Sequence, residues 1–207
     1  MKIKCAPLGS LGANFYMITD DETKQMFVVD PGACPQTALE LIEECNCELR
    51  YIILTHAHGD HIGAVDDIKE KFGAPVVICR EDAPALNDGK LNLCPVLGVP
   101  SPKTKADIEV TDMHKLPFGN GEIVFLHTPG HTKGSMCICA DDFLISGDTI
   151  FNLSVGRSDF PGGDFDELRS SILEKIYTLA PSTTIYPGHG SPTTVEYEKA
   201  NNPFVRG

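Results

Sequence analysis

Short apolar runs alternate with polar turns along the first half of the chain, and they predict strands that are interleaved with helices. Pro35 lies where the first helix would begin, a position that suits proline because the first-turn N–H needs no intrahelical partner. The predicted strands cover residues 2–8, 14–19, 26–30, 51–54 and 75–79, and the predicted helices cover 36–46 and about 61–72.

The second half repeats this alternation, so the chain is predicted to contain two similar halves. Asp164 is a candidate N-cap for its longer helix. The predicted strands cover 107–117, 122–127, 135–140, 143–147 and 183–186, and the helices about 165–179 and 193–200. Between the halves, residues 84–105 are rich in Pro, Asn and Gly and predict a loop or a short irregular helix. Two interpretations of this stretch stay open: a segment beside an active site, or an ordinary connector.

Length and composition predict one domain that spans residues 1–207. A chain of 207 residues with 42% hydrophobic residues lies in the single-domain range and can build a substantial core. No apolar run approaches the ~18 residues of a membrane helix, and Met1 leads directly into a strand without a visible export signal. We therefore expect a soluble cytoplasmic protein that does not bind membranes, either a monomer or a small homo-oligomer.

Charge and cysteine content exclude two further classes. The net charge of −12 argues against a nucleic-acid partner, which requires a basic surface. Eight Cys would suit a disulfide scaffold, but the chain is long for one, and the Cys45–Cys47 and Cys137–Cys139 spacings are too short for common zinc knuckles. Free thiols in a reducing cytosol are expected, and Cys34 is assigned no role.

Candidate chemistry is concentrated in residues 55–63, Thr-His-Ala-His-Gly-Asp-His-Ile-Gly, directly after the apolar run at 51–54. Imidazole and carboxylate are ligands that suit zinc and its first-row neighbours. Alternate side chains of an extended segment point the same way, so His56 and His58 can face one ion. Asp60 and His61 are adjacent and can face a second ion.

Two metals need more ligands than this segment holds, and three candidates lie downstream on loops that follow apolar runs. His131 lies in Thr-Pro-Gly-His-Thr-Lys-Gly, Asp148 in Ser-Gly-Asp-Thr, and His189 in Tyr-Pro-Gly-His-Gly. Loops at strand ends often carry functional groups on a rigid support. His114 is assigned to the surface, whereas His127 is either a partner of the ligands or a plain strand-end residue.

Together these motifs resemble the metallo-β-lactamase superfamily, over nearly the whole chain and in the same order. Within it, Gly-Asp-Thr-Ile-Phe at 147–151 and Gly-Arg-Ser-Asp-Phe at 156–160 look most like the short, single-domain form of the glyoxalase II group, the hydroxyacylglutathione hydrolases. The resemblance implies an α+β fold, a four-layer αββα sandwich of two mixed sheets flanked by helices, with the metals at one edge between the sheets.

The resemblance also implies a ligand assignment. His56, His58 and His131 would hold one divalent metal, while Asp60, His61 and His189 would hold a second. Asp148 would bridge both, and Asp30 would support the ligands from outside the coordination sphere. Zinc is the first choice, and iron and manganese tolerate similar ligands.

The expected activity is hydrolysis of a small thioester such as S-lactoylglutathione, or of another small ester, by a metal-bridging hydroxide. Asp60 would both ligate and orient this nucleophile, as the catalytic carboxylate. Arg157 matches a basic substrate-binding position of the family, although an ion pair with Asp159 or Asp164 explains it equally well. Longer glyoxalase II enzymes carry a basic C-terminal extension that grips glutathione, and this chain ends eighteen residues past His189, so the substrate could be another thioester.

Three alternatives stay open. A persulfide dioxygenase would hold a single iron with His, His and Asp and shares the Gly-Arg-x-Asp pattern. A lactone or β-lactam hydrolase would use the same site, although no export signal is visible. A non-catalytic metal-binding module is disfavoured by the complete ligand set.

Overall fold

The computed structural model describes all 207 residues. Its first half forms a six-stranded mixed sheet in the order β1-β2-β3-β4-β5-β6, antiparallel from β1 to β3 and parallel from β3 to β6. The strands are β1 (Lys2–Leu8), β2 (Ala13–Asp20), β3 (Gln25–Val29), β4 (Glu48–Ile53), β5 (Val76–Cys79) and β6 (Ile108–Val110). The helices of this half are α1 (Pro35–Glu44), α2 (Gly59–Ile62), α3 (Val65–Phe72) and α4 (Cys94–Leu97), with a 3₁₀ turn at Ala83–Asn87.

The second half forms another six-stranded sheet, in the order β14-β13-β10-β9-β8-β7, in which β10 and β13 are the only neighbouring strands that pair in parallel. Its strands are β7 (Lys115–Phe118), β8 (Gly121–His127), β9 (Met136–Ala140), β10 (Phe143–Gly147), β13 (Thr184–Pro187) and β14 (Thr193–Thr194). A small hairpin of β11 (Ile150–Phe151) and β12 (Ser154–Val155) follows β10, and α5 (Phe165–Ser171) and α6 (Val195–Asn201) complete this half.

Three apolar clusters separate four layers, which confirms the predicted αββα sandwich. In β3, Phe27 and Val29 point into a cluster shared by both sheets, whereas Met26 and Val28 point into a cluster that the helices of the first half cover. A third cluster joins the outer face of the second sheet to α5 and α6. Period-two alternation therefore buries both faces of the central strands.

The helix predicted at 61–72 is interrupted, because the backbone at its start bonds to another loop. The N–H groups of Gly63 and Ala64 donate to the carbonyl oxygens of Gly32 and Pro31 at 3.1 and 2.8 Å. A Cβ at Gly63 would lie 2.3 Å from the Gly32 oxygen, so only glycine permits this approach. The break places the ligand loop against the end of β3.

The strand predicted at 107–117 is also wrong as a single element. Residues 108–110 join the first sheet as β6, and residues 115–118 join the second as β7. The intervening turn contains Met113 in the left-handed region, with φ 58°. Hydrophobic periodicity cannot show that a chain leaves one sheet for another, so the two runs looked like one.

Smaller differences affect the C-terminal elements. The helix predicted at 165–179 ends in a π-helical turn, Ile172–Ile176, in which Tyr177 N–H donates to the Ile172 carbonyl at 2.9 Å. Thr194 closes β14, and its hydroxyl then accepts from Tyr197 N–H to cap α6. Asp164 caps α5 as predicted, by accepting from two first-turn N–H groups. No helix in the fold combines the length and the apolar character that crossing a bilayer would demand.

Candidate metal centre

Strand ends from both sheets converge at one edge of the sandwich. The loop with His56, His58, Asp60 and His61 follows β4 of the first sheet. The loops with the three other predicted ligands follow β8, β10 and β13 of the second sheet, which run in the same direction. The structure therefore brings all seven predicted ligands together.

The first group of donors consists of His56, His58 and His131, all buried. His131 Nε2 lies 2.9 Å from His58 Nδ1 and 3.3 Å from His56 Nε2. Ligands held at the usual Zn–N distance of about 2.1 Å in a tetrahedron stand roughly 3.4 Å apart. The three nitrogens thus have a spacing that suits one shared ion.

The second group consists of Asp60, His61 and His189. Asp60 Oδ2 lies 3.3 Å from His189 Nε2 and 3.7 Å from His61 Nε2. Asp60 and His189 are partly exposed, whereas His61 is fully buried. This group is therefore the more open of the two.

Asp148 lies between the two groups. Its Oδ2 is 3.5 Å from His131 Nε2 in the first group and 3.7 Å from His189 Nε2 in the second. Its Oδ1 is 3.5 Å from His61 Nε2. One carboxylate thus faces both donor groups, as a bridging ligand would.

Buried polar atoms without partners show that this cluster fits a metal. His61 Nε2 and Asp148 Oδ1, which lie 3.5 Å apart, are inaccessible and have no hydrogen-bond partner. Buried polar atoms are otherwise almost always paired, because an unpaired one costs about 1–3 kcal/mol. A cation between His61 and Asp148 would satisfy both.

The electrostatics around His56 and His58 favour neutral imidazoles, the form that ligates metals. Burial, with the neighbouring imidazoles, holds the pKa of His56 well below its ordinary value. Burial and His131 lower the pKa of His58 to about 3. Neutral rings present lone pairs to a cation without first losing a proton.

Neighbouring charges also shift the pKa values of the second group. Burial alone would lower the pKa of His61, but the charges of Asp148, Asp30 and Asp60 raise it to about 10. Burial would raise the pKa of Asp60, but the hydrogen bond from His189 and the charge of His61 bring it below its ordinary value. These carboxylates stabilise a proton on His61 as they would stabilise a bound cation. Metal binding at this group would therefore displace the proton from His61.

Asp30, for which the resemblance implies a supporting role, lies directly after β3 and contacts the candidate ligand His61. Its Oδ1 accepts from Thr55 N–H at 2.8 Å, and its Oδ2 accepts from the Thr55 hydroxyl at 2.6 Å. His61 Nδ1 lies 2.9 Å from the same Oδ2. The bond from Nδ1 directs Nε2 of His61 into the cluster.

Asp82 is a structural residue of the site that the sequence motifs missed. It is buried and accepts from Ala57 N–H at 3.1 Å, the Thr132 hydroxyl at 2.8 Å and Gly134 N–H at 2.7 Å. Burial raises its pKa although these three bonds oppose the rise. Asp82 thereby ties the His56–His61 loop to the His131 loop. Like Asp30 it follows a strand of the first sheet, and that position is the signal that could have identified it.

Asn14 and Tyr16 support the loop of His189 from the first sheet. Asn14 Nδ2 donates to the carbonyl oxygens of Pro187 and Gly190, both at 2.9 Å. The Tyr16 hydroxyl donates to the Pro187 oxygen at 2.6 Å. Both residues are buried, which is unusual for polar residues within a strand. Neither belongs to a sequence motif that would have identified it.

Arg157 lies at the rim of the candidate metal centre. Its contacts can be compared with its two interpretations, a substrate-binding residue and an ion pair with an acidic neighbour. Its guanidinium pairs with both oxygens of Asp159 at 2.8 and 2.7 Å and lies 4.1 Å from the centre of the Phe160 ring. Its carbonyl oxygen faces His131 Nδ1 at 2.6 Å. The ion pair is present, and the side chain stays exposed beside the centre.

The two remaining histidines lie outside the cluster. His127 ends β8, and its Nε2 lies 2.8 Å from the Lys133 carbonyl oxygen, so it supports the turn after His131 rather than a ligand. His114 is half-buried with its ring edge towards Phe125. The strand-end interpretation of His127 therefore agrees with the structure.

A cavity of about 140 Å³ adjoins the first donor group and is lined by His58. Ala85 and Leu91 of the stretch at 84–105 form part of its wall, together with Thr132 and Pro161. Of the two interpretations of that stretch, the segment beside the site agrees with the structure.

Comparison with known proteins points in one direction. A family model described as the metallo-beta-lactamase superfamily matches residues 8–189. The chain is 36% identical to a probable metallo-hydrolase, YqgX, of Bacillus subtilis, over 100% of this chain and 99% of the relative. It is 34% identical to the hydroxyacylglutathione hydrolase GloC of Haemophilus influenzae, over 99% and 98% of the two chains.

Two solved structures are similar over essentially their full lengths. The crystal structure of BLEG-1 B3 metallo-beta-lactamase has a TM-score of 0.94 and 36% identity, with 100% of both chains covered. The crystal structure of TTHA1623 in a di-iron-bound form has a TM-score of 0.86 and 33% identity, with 98% of this chain and 100% of that one covered. These similarities agree with the donor geometry, and the di-iron form shows that a relative of this chain binds two metal ions.

Proposed function

Because this chain belongs to the metallo-β-lactamase superfamily, we propose that it is a metal-dependent hydrolase that cleaves a small thioester, with S-lactoylglutathione as the first candidate substrate. The observation that carries this proposal is Asp148, whose two oxygens face two complete donor groups within 3.7 Å. The similarity to a hydroxyacylglutathione hydrolase of Haemophilus influenzae supports the thioester.

The proposed centre would hold two divalent metals. His56, His58 and His131 would hold one, and Asp60, His61 and His189 would hold the other, with Asp148 facing both groups. Nitrogen and carboxylate donors suit zinc, while a similar protein with two irons supports iron as an alternative.

The chemistry follows from the charge of this centre. When bound, a divalent ion would supply Lewis acidity, which lowers the pKa of a bound water from 15.7 to roughly 7 and polarises a carbonyl group. Asp60, with one oxygen towards His189, accepts a hydrogen bond from the attacking water and orients it. The leaving thiol has an ordinary pKa of about 8.5, so it departs with little help from an acid.

Hydrolysis of a β-lactam is a second candidate, because a solved structure that is 36% identical over the full chain is that of a B3 metallo-beta-lactamase. The same centre would polarise the lactam carbonyl. The amide nitrogen is a poorer leaving group than a thiolate, and a proton donor to it would be required. A chromogenic cephalosporin, assayed beside the thioesters, separates the two candidates.

The decisive experiment combines elemental analysis of the purified protein with a panel of thioesters, lactones and β-lactams. We expect two metals per chain and the highest kcat/KM on a thioester. His58→Ala and Asp148→Ala should lose metal and activity together, while His114→Ala, which lies outside the cluster, should keep both.

Other outcomes would overturn the proposal. Full activity in Asp148→Ala would remove that residue from the centre. One iron per chain with oxygen uptake on a persulfide would indicate a dioxygenase. A fully metallated protein that hydrolyses no member of the panel would indicate a metal-binding module without catalysis.

A further inference from the structure

The cavity beside His58 contains two opposite charges that do not neutralise each other. Glu81 lies on the segment after β5, and Lys133 lies on the turn after His131. Neither the Glu81 carboxylate nor the Lys133 ammonium group forms a salt bridge, with each other or with another residue. We call this cavity the Glu81–Lys133 pocket; His58, Leu91, Thr132 and Pro161 also line it.

The two charges are presented on rigid supports. The backbone of the Lys133 turn is fixed on both sides, because the Thr132 hydroxyl and Gly134 N–H donate to Asp82. Its carbonyl oxygen faces His127 Nε2 at 2.8 Å. The Glu81 carboxylate accepts a hydrogen bond from the Cys79 thiol at 2.8 Å. Lys133 itself is exposed, so its ammonium group is available to a ligand.

The third charged residue of the pocket is not available. The carboxylate of Asp82 is buried and accepts three internal hydrogen bonds. The pocket therefore offers a ligand one anion and one cation. The cation also differs from Arg157, whose guanidinium already pairs with Asp159 through two hydrogen bonds.

We propose that the Glu81–Lys133 pocket binds a zwitterionic α-amino-acid end of the substrate, with Lys133 pairing with its carboxylate and Glu81 with its ammonium group. This inference rests on the proposed thioester hydrolysis and specifies the thiol half of the substrate. Glu81 and Lys133 are both exposed, so each can pair with a ligand charge. A zwitterion would pair with both residues at once, whereas a ligand with only one charge would pair with one of them.

Size and position agree with this ligand. The volume of about 140 Å³ is close to the roughly 150 Å³ of an engineered cavity that takes up benzene. An α-amino-acid head group, with about five heavy atoms, fits such a space. Because His58 lines the same pocket, the rest of the ligand extends directly towards the metal donors.

The test compares two thioesters with the same acyl group. S-lactoylglutathione carries an α-amino-acid end on its thiol half, and S-lactoyl-N-acetylcysteamine carries no charge there. The measured quantity is kcat/KM for S-lactoylglutathione divided by kcat/KM for the uncharged thioester. We expect Lys133→Met and Glu81→Gln each to lower this ratio by about tenfold, mainly by raising KM for S-lactoylglutathione. A tenfold change corresponds to the loss of one charge-assisted hydrogen bond. Glutamine still accepts from the Cys79 thiol, so that contact is retained.

Matched controls carry the same changes elsewhere. Lys105→Met and Glu70→Gln alter exposed residues outside the pocket and should leave the ratio unchanged. Blocking the α-amine of the glutathione thioester by acetylation should remove the effect of Glu81→Gln and keep that of Lys133→Met. An unchanged ratio in both pocket variants of an active enzyme overturns the pocket assignment and leaves the hydrolase proposal intact.

A binding measurement separates the two proposals. S-methylglutathione, which cannot be hydrolysed as a thioester, is titrated into the metal-loaded protein by calorimetry. Binding that weakens about tenfold in Lys133→Met and in Glu81→Gln supports the pocket even if no thioester is cleaved. Absent binding, or equal binding by wild type and both variants, overturns it.

Discussion

Asp30 accepts a hydrogen bond from His61 on the side of the imidazole that faces away from the proposed metals. The 2.9 Å contact between Asp30 Oδ2 and His61 Nδ1 leaves Nε2 facing Asp148 and Asp60, at 3.5 and 3.7 Å. The Thr55 hydroxyl, bonded to the same Oδ2, also lies 3.0 Å from His56 Nδ1. One carboxylate thus orients a ligand in each donor group.

Asp30→Ala should therefore weaken metal binding at both donor groups, more so in the one that contains His61. Loss of a carboxylate that orients a metal-bound histidine typically reduces affinity by about 10–100-fold. Competition with a chromophoric chelator measures both affinities. The exposed Asp67→Ala is the control, and equal affinities in wild type and Asp30→Ala would show that the contact does not orient the ligand.

Asp82→Ala should destabilise the fold as well as the centre. Three donors from two loops would lose their acceptor, and each buried donor left unpaired costs about 1–3 kcal/mol, so we expect a loss of at least about 3 kcal/mol in the free energy of unfolding. Urea denaturation of the chelator-treated protein measures this loss without a contribution from metal. Asp82→Asn keeps an acceptor oxygen and should lose less; an unchanged urea midpoint in the alanine variant would contradict the role of Asp82.

The seven donors could be predicted from the sequence because each lies in a short motif directly after an apolar run. Strands that run in one direction end at one edge, so residues at their ends meet whatever their separation in sequence. Asp148 and His189, for example, follow the parallel strands β10 and β13. The four layers came from the resemblance, since alternation alone predicts buried strands and not how two sheets are stacked.

The contacts between loops could not be predicted in the same way. Asp82 and Thr132 lie fifty positions apart, and their 2.8 Å bond exists only because β5 and β8 end at the same edge of the sandwich. The break at Gly63 depends on the carbonyl of Gly32 in another loop. Such contacts depend on tertiary geometry and leave no periodic signal in the chain.

Arg157→Ala should raise KM and keep the metals. The contact of residue 157 with His131 uses the backbone carbonyl, which alanine also supplies. Because the guanidinium is exposed, the rise in KM should be small, at most about fivefold. Asp159→Asn should lower KM for an anionic substrate, since it releases Arg157 from its ion pair. Arg169→Ala is the control, and loss of metal in Arg157→Ala would assign a structural role to the side chain.

Burial of two neighbouring cysteine thiols makes the stability of the metal-free protein depend on pH in the alkaline range. Burial raises the pKa of Cys137 to about 11 and that of Cys139 to about 12. The folded state therefore keeps these thiols neutral after the unfolded chain, with an ordinary thiol pKa of about 8.5, has begun to ionise. Their contribution to stability is fully present below about pH 8.5 and is lost as the pH rises towards 11 and 12.

Cys137→Ala should accordingly reduce the fall in unfolding free energy between pH 8 and pH 10 by roughly 1–2 kcal/mol relative to wild type. Urea denaturation at the two pH values, with chelator and reductant present, gives this difference. Comparing the fall with pH, rather than the stability itself, cancels the cost of the cavity that alanine leaves in the core. Cys34→Ala, which replaces an exposed cysteine, is the control: its unfolding free energy should fall with pH as steeply as that of wild type. An equally steep fall in Cys137→Ala would mean that other groups, and not this buried thiol, cause the alkaline loss of stability.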